Sequence, residues 1–276
     1  MNKNKLIKIV GGIKSEFPNN KLAYLAMTSK VEHQLRDAIA NQMHIELQKI
    51  KSTSFVCREW KYIDAEILDS SGNPELLIEF KGHSSIDFPD WLLKRKSNNK
   101  IDIVKDISGL IDNAIDSTDL YFIFFNNLLK SDKILPKNPI KNKPIAYENL
   151  VIKSISGKYE EKVSRVIKNW AYLLKQLNLP PEYTSVVEID AGIYLGSYPI
   201  SILTIIYGNF KKNDNFILNS LVCNPNVVNE DFDFARFDQS KFKNIDLNGM
   251  HLYSYDLNLL KSIKEIEPNL KCWEIK

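Results

Sequence analysis

The segment from Asp119 to Leu129 carries an apolar and aromatic run, Leu120, Tyr121, Phe122, Ile123, Phe124 and Phe125. A strand with one solvated face alternates apolar and polar residues, so a run without alternation calls for cover on both faces, the situation inside α/β sheets. Tyr198 to Tyr207 is a second apolar run. It is about half the roughly 20 residues that a membrane-spanning helix needs, and it reads as another buried strand. With 276 residues, 44% of them hydrophobic and 26% charged, the chain can bury a sizeable core without disulfide staples.

Cys57, Cys223 and Cys272 stand far apart with no C-x-x-C pair. Neither a zinc site nor a disulfide framework is expected, which assigns the chain to a reducing compartment, the cytoplasm. The basic opening MNKNKLIKIV is interrupted by Lys8 and then by Gly11-Gly12, so neither export nor membrane insertion is expected. Net charge is +3, from 37 basic and 34 acidic residues, which excludes neither nucleic acid nor a neutral partner. No G-K-[ST] follows Gly11-Gly12, and the chain has no G-x-S-x-G elbow or H-E-x-x-H helix. ATPase, serine hydrolase and zinc protease chemistry are left without support.

Hydrophobic period supplies the order of elements. Val31, Leu35, Ala38, Ile39 and Met43 recur at helical spacing between Lys30 and Lys49. Residues 55–68 alternate, with Ile63, Ala65 and Ile67 against Tyr62, Asp64 and Glu66, and read as one strand. Turn formers fill Asp69 to Pro74, and an extended pattern resumes from Glu75 to Lys81, which makes a hairpin. A helix over 101–115 and the strand at 119–129 follow. Past a Lys-, Asn- and Pro-rich linker at 136–144 come a helix over 159–177, strands at 183–190 and 198–207, and a short helix near 257–266. A core over 1–140 and an α+β extension over 141–276 are expected, the latter as a separate part or within the same globular unit.

The chemistry-bearing residues lie on the hairpin. Counting outward from a turn centred between Ser71 and Gly72 sets Asp64 opposite Glu79, and the two-residue period puts Lys81 on the face of Glu79. Two carboxylates and an ammonium then converge. Hard cations such as Mg²⁺, for which Mn²⁺ can substitute, prefer carboxylate and carbonyl oxygens, here Asp64, Glu79 and the Phe80 carbonyl. A metal-bound water and a nearby ammonium suit phosphodiester hydrolysis.

These residues resemble the PD-(D/E)XK nuclease superfamily, in which a helix precedes a hairpin bearing an Asp and then acid-x-Lys, followed by a helix and a strand. The resemblance covers roughly residues 30–129. It implies a restriction-endonuclease-like α/β core, Asp64 and Glu79 as metal ligands, Lys81 as the catalytic lysine, and Glu32 as the acid many members carry on the first helix. The family's Pro before the first Asp is replaced by Ile63.

Other readings stand beside these. Ser29-Lys30-Val31-Glu32 fits a capping box, which would give Glu32 a structural role. Glu66 is either a solvated strand carboxylate or a further member of the site, and His83 either a surface or turn residue or a phosphate contact or base. Lys94, Arg95, Lys96 and Lys100 beside Trp91 are either a solvated loop or a track for the phosphate backbone. The expected activity is Mg²⁺-dependent cleavage of DNA in restriction or phage defence, with a homodimer where both strands are cut. The alternatives are an RNA nuclease, or a binding protein in which Asp64, Glu79 and Lys81 form only a charge ladder.

Overall fold

The computed structural model describes residues 1–29, 31–83, 96–97, 100–131, 158–177, 179–214, 250–254 and 272–274. Its axis is β6 (Asp119–Leu129), whose side chains part to the two faces of a mixed sheet. Tyr121, Ile123, Phe125 and Leu129 enter one core; Leu120, Phe122, Phe124 and Leu128 enter the other. The expected cover on both faces is present. The first core is closed by α1 (Lys3–Gly12), α2 (Lys21–Thr28) and α3 (Glu32–Lys49), the second by α4 (Asp102–Asn113) and α5 (Tyr159–Gln176). The layers are helices, sheet, helices.

The other strands are β1 (Phe55–Trp60), β2 (Ile63–Leu68), β3 (Pro74–His83), β7 (Thr184–Tyr194), β8 (Tyr198–Phe210), β9 (Met250–Ser254) and β10 (Cys272–Glu274). With β6 they form one sheet in the order β1-β2-β3-β6-β8-β7-β9-β10, while β4 (Lys96–Ser97) and β5 (Lys100–Ile101) pair separately. Strands from the second half of the chain therefore extend the sheet begun by the first. β3 and β6 are parallel, a pairing that requires a crossover, and α4 lies within it. The order from α3 to β6 is helix, three-stranded meander, the short β4–β5 pair, helix, strand.

The single strand expected over 55–68 is corrected to two. β1 and β2 are antiparallel, with Trp60 opposite Ile63, and only Lys61 and Tyr62 turn the chain between them. Both have the positive φ of a type I′ turn, 49° and 68°, and Glu59 is left-handed too, at 58°. That turn usually recruits Asn-Gly. A side chain in this region costs roughly 1–2 kcal/mol per residue, so nothing in the local composition announces the reversal.

The second turn follows its sequence. Asp69 Oδ1 accepts from Ser71 N–H and Asn73 N–H, each at 2.8 Å, and Gly72 takes φ 81°. Pairs Ala65–Ile78, Glu66–Leu77 and Ile67–Leu76 keep the register that sets Asp64 level with Glu79.

The N-terminal helices were not anticipated, although Leu6, Ile9, Val10 and Ile13 recur at helical spacing and are buried, and the Asn2 side chain caps α1 by accepting from Lys5 N–H. No helix among the described residues is long and apolar enough to cross a membrane. The linker at 136–144, the helix near 257–266 and Cys223 lie outside the described residues.

Candidate functional site

The β2–β3 ladder ends at the Ala65–Ile78 pair, and the Asp64 side chain takes over from it. Asp64 Oδ2 accepts the Phe80 N–H at 2.9 Å, while Oδ1 lies 3.2 Å from Arg36 Nη1 on α3. Because a strand residue's N–H and C=O leave on the same edge, the Phe80 carbonyl also faces the Asp64 side of β3.

Glu79, only 7% exposed, stands level with Asp64 across the β2–β3 register, close enough for the two carboxyl groups to perturb each other. Burial first, then the neighbouring Asp64 carboxylate, push Glu79 up to about 10, against the opposing pull of Lys81. Burial works against ionisation of Asp64 as well. The neighbouring Glu79 carboxyl, the Phe80 N–H, Lys81 and Arg36 outweigh it and hold Asp64 below the usual carboxylate range. The neighbouring charges thus favour the proton on Glu79 and the negative charge on Asp64.

Lys81 Nζ lies 3.0 Å from Asp106 Oδ2 on α4. Burial disfavours its charge, but Asp106, with help from Asp64, more than compensates and raises its pKa, so Lys81 stands as a charged donor. Asp106 escaped the sequence reading although the signal was present. It interrupts the apolar stripe of α4 between Ile103 and Ile107, a place where a carboxylate needs a partner. Arg36 gave a similar signal, one helical turn beyond Glu32 and aligned with Ile39 and Met43.

The capping box does not form. The N-cap of α3 is Val31, without a side-chain bond, and Ser29 Oγ donates instead to Leu25 O at the end of α2. Glu32 Oε2 accepts the Gly82 N–H at 2.6 Å, which fastens α3 to β3 one residue beyond Lys81. A Cβ at Gly82 would lie 2.9 Å from the Glu32 Cβ, so glycine permits this approach.

Glu66 is not a solvated strand carboxylate. It is 0% exposed, its Oε1 accepts the Trp60 N–H at 2.9 Å, and Oε2 has no partner among the described residues. Burial, partly offset by that hydrogen bond, pushes Glu66 up to about 7 from an ordinary 4.5.

A raised carboxyl pKa adds stability that is fully present below about 4.5 and is lost as pH rises through about 7. Glu79 contributes a loss of the same sign that continues to about 10, whereas Asp64 acts in the opposite sense and only as pH falls below its usual 3.8. Glu66→Gln is therefore expected to shrink the stability difference between pH 5 and pH 8 by on the order of 2–3 kcal/mol. Denaturant titrations at the two pH values measure it, and an unchanged profile would refute the assignment.

Asp64, Glu79 and Lys81 are thus brought together, and Glu32 joins them through the end of β3. Lys96 and Lys100 lie on the β4–β5 ladder just before α4. Lys94, Arg95 and Trp91 lie outside the described residues. His83 ends β3, paired with Asn126 of β6.

Among the described residues no group of three or more His, Cys, Asp or Glu could by itself hold a metal ion. Two neighbouring carboxyl groups, Asp64 and Glu79, with a backbone carbonyl on the same edge, nevertheless match the donor set of Mg²⁺, which keeps several waters and commonly takes only one or two carboxylates. Comparisons with protein-family models, with curated proteins and with solved structures find nothing that matches this chain.

Proposed function

We propose that the chain is a metal-dependent endonuclease of the PD-(D/E)XK type that hydrolyses phosphodiester bonds in DNA. The observation that carries this reading is the placement of Asp64, held by the Phe80 N–H, level with the buried Glu79 carboxyl, with the Lys81 ammonium on the face of Glu79. The order of α3, three strands, α4 and β6, with β3 and β6 parallel, supports it further.

Asp64, Glu79 and the Phe80 carbonyl would hold Mg²⁺ or Mn²⁺, which supplies an acidified water and neutralises charge on the phosphate. Arg36 and the Phe80 N–H fix the rotamer of Asp64. Asp106 holds the Lys81 ammonium on the face of Glu79, where it can donate to a non-bridging phosphate oxygen as charge grows there. Being charged, Lys81 serves as an electrostatic stabiliser and not as a base. Glu32 sets the position of β3 just beyond the lysine.

The second reading, a structural charge ladder, draws on the Lys81–Asp106 ion pair. It leaves unexplained why Glu79 should be buried against Asp64, since a ladder would pair it with a cation.

The test is incubation with supercoiled plasmid and Mg²⁺ or Mn²⁺, with and without EDTA. Metal-dependent nicking or linearisation is the expected result. No cleavage together with no thermal shift on adding metal would favour the ladder.

A further inference from the structure

The tip of the β1–β2 hairpin forgoes stability in two ways. Three of its residues, Glu59, Lys61 and Tyr62, hold left-handed backbone that glycine would accept without strain, and none is glycine. The Tyr62 ring is also 98% exposed, so it recovers nothing by burial. Strain retained at exposed side chains points to a use for those side chains.

The tip is fastened to the acid pair. Arg36 Nη1 lies 3.1 Å from Glu59 Oε1 and 3.2 Å from Asp64 Oδ1, so one guanidinium spans the hairpin end and the site. The charges around it are largely matched: Arg58 pairs with Asp37 and Arg36 with Glu59, Asp37 and Asp64. The exception is Lys61, whose ammonium sits 4.1 Å from the centroid of the Trp60 ring and has no acidic partner among the described residues. An exposed aromatic ring, Tyr62, next in sequence to an unpaired cation and two residues before Asp64, has the chemistry of a nucleic-acid contact and suits a polyanion better than a protein face.

We propose that this tip holds the nucleic-acid strand next to the cut, Tyr62 stacking on an unpaired base and Lys61 meeting a neighbouring phosphate. The site would then favour single-stranded or frayed substrate over closed duplex. The inference rests on the nuclease reading and goes beyond it by naming the form of the substrate and the residues that select it.

The test combines binding, kinetics and thermal melting. Fluorescence anisotropy in EDTA compares labelled oligodeoxythymidine with a blunt duplex on the wild-type protein, Tyr62→Gly and Tyr62→Ala. Tyr62→Gly is expected to weaken oligodeoxythymidine binding about tenfold while raising the melting temperature, because glycine relieves the turn. Tyr62→Ala weakens binding equally without that gain in stability, and the duplex is affected less than the single strand by either change. In cleavage assays the loss appears in KM and not in kcat. Unchanged binding in both variants overturns the assignment of the tip, and a lower melting temperature for Tyr62→Gly overturns the strain argument. Wild-type protein that cuts DNA while the variants bind normally leaves the nuclease reading standing and removes only the tip; wild-type protein that neither binds nor cuts removes both.

Discussion

On the proposed nuclease reading, Glu79→Gln is expected to lower metal-dependent cleavage by at least about 10²-fold while the fold stays intact, and Lys81→Ala to do the same with some loss of stability. The difference between the variants follows from the protonation state. Glu79 carries its proton through the neutral range, so the Gln amide replaces a neutral hydrogen-bond donor of nearly the same shape facing Asp64. What Gln cannot do is release that proton and present a second negative oxygen. Lys81→Ala, by contrast, removes one charged partner of the partly buried Asp106, which costs about 1–3 kcal/mol.

Activity is therefore compared first in Glu79→Gln. Calorimetry supplies an independent readout, since Mg²⁺ at 100 times its dissociation constant should stabilise the wild-type protein by about 2.7 kcal/mol and Glu79→Gln much less. Full cleavage by both variants would show that the acid pair and its lysine are not the catalytic group.

Gly208→Ala should destabilise the protein by about 3 kcal/mol, or roughly 6–12 °C in melting temperature. Gly208 on β8 lies opposite Tyr121 on β6, where the register of the two strands shifts. A Cβ there would run into the Tyr121 ring and sit 2.7 Å from the Leu120 carbonyl oxygen. Neither neighbour can yield easily. Leu120 O is backbone within the ladder, and Tyr121 is fully buried with its hydroxyl 3.2 Å from Asn209 Oδ1. Circular-dichroism melts measure the loss, and Tyr121→Leu in the Gly208→Ala background should recover part of it by vacating the space. A melting temperature equal to that of the wild type would contradict the packing.

Much of the sheet was legible because hydrophobic period reports burial directly. The run from Asp119 to Leu129 demanded two cores, and its side chains divide between two cores. Asp69, Gly72 and Asn73 announced the β2–β3 turn through residue types whose side chains or backbone freedom make turns. The β1–β2 turn was illegible for the opposite reason. Lys61 and Tyr62 are ordinary residues in an uncommon conformation, and alternation runs straight through them. Glu66 shows a related failure, because alternation identifies the face a residue occupies but not whether that face is covered.

The sequence by itself determined the strand register that levels Asp64 with Glu79, and with it the pairing of two acids and a lysine. Register follows from turn position and the two-residue period, both local properties. Only the tertiary structure decided how those groups are charged and held. That Asp106 rather than Glu79 pairs with Lys81, that Arg36 bridges Glu59 and Asp64, and that Glu32 binds Gly82 instead of capping its own helix all depend on helices packed against the sheet from opposite sides. Those contacts join residues separated along the chain by a packing geometry that no local pattern encodes, and burial between the layers is what moves the proton onto Glu79.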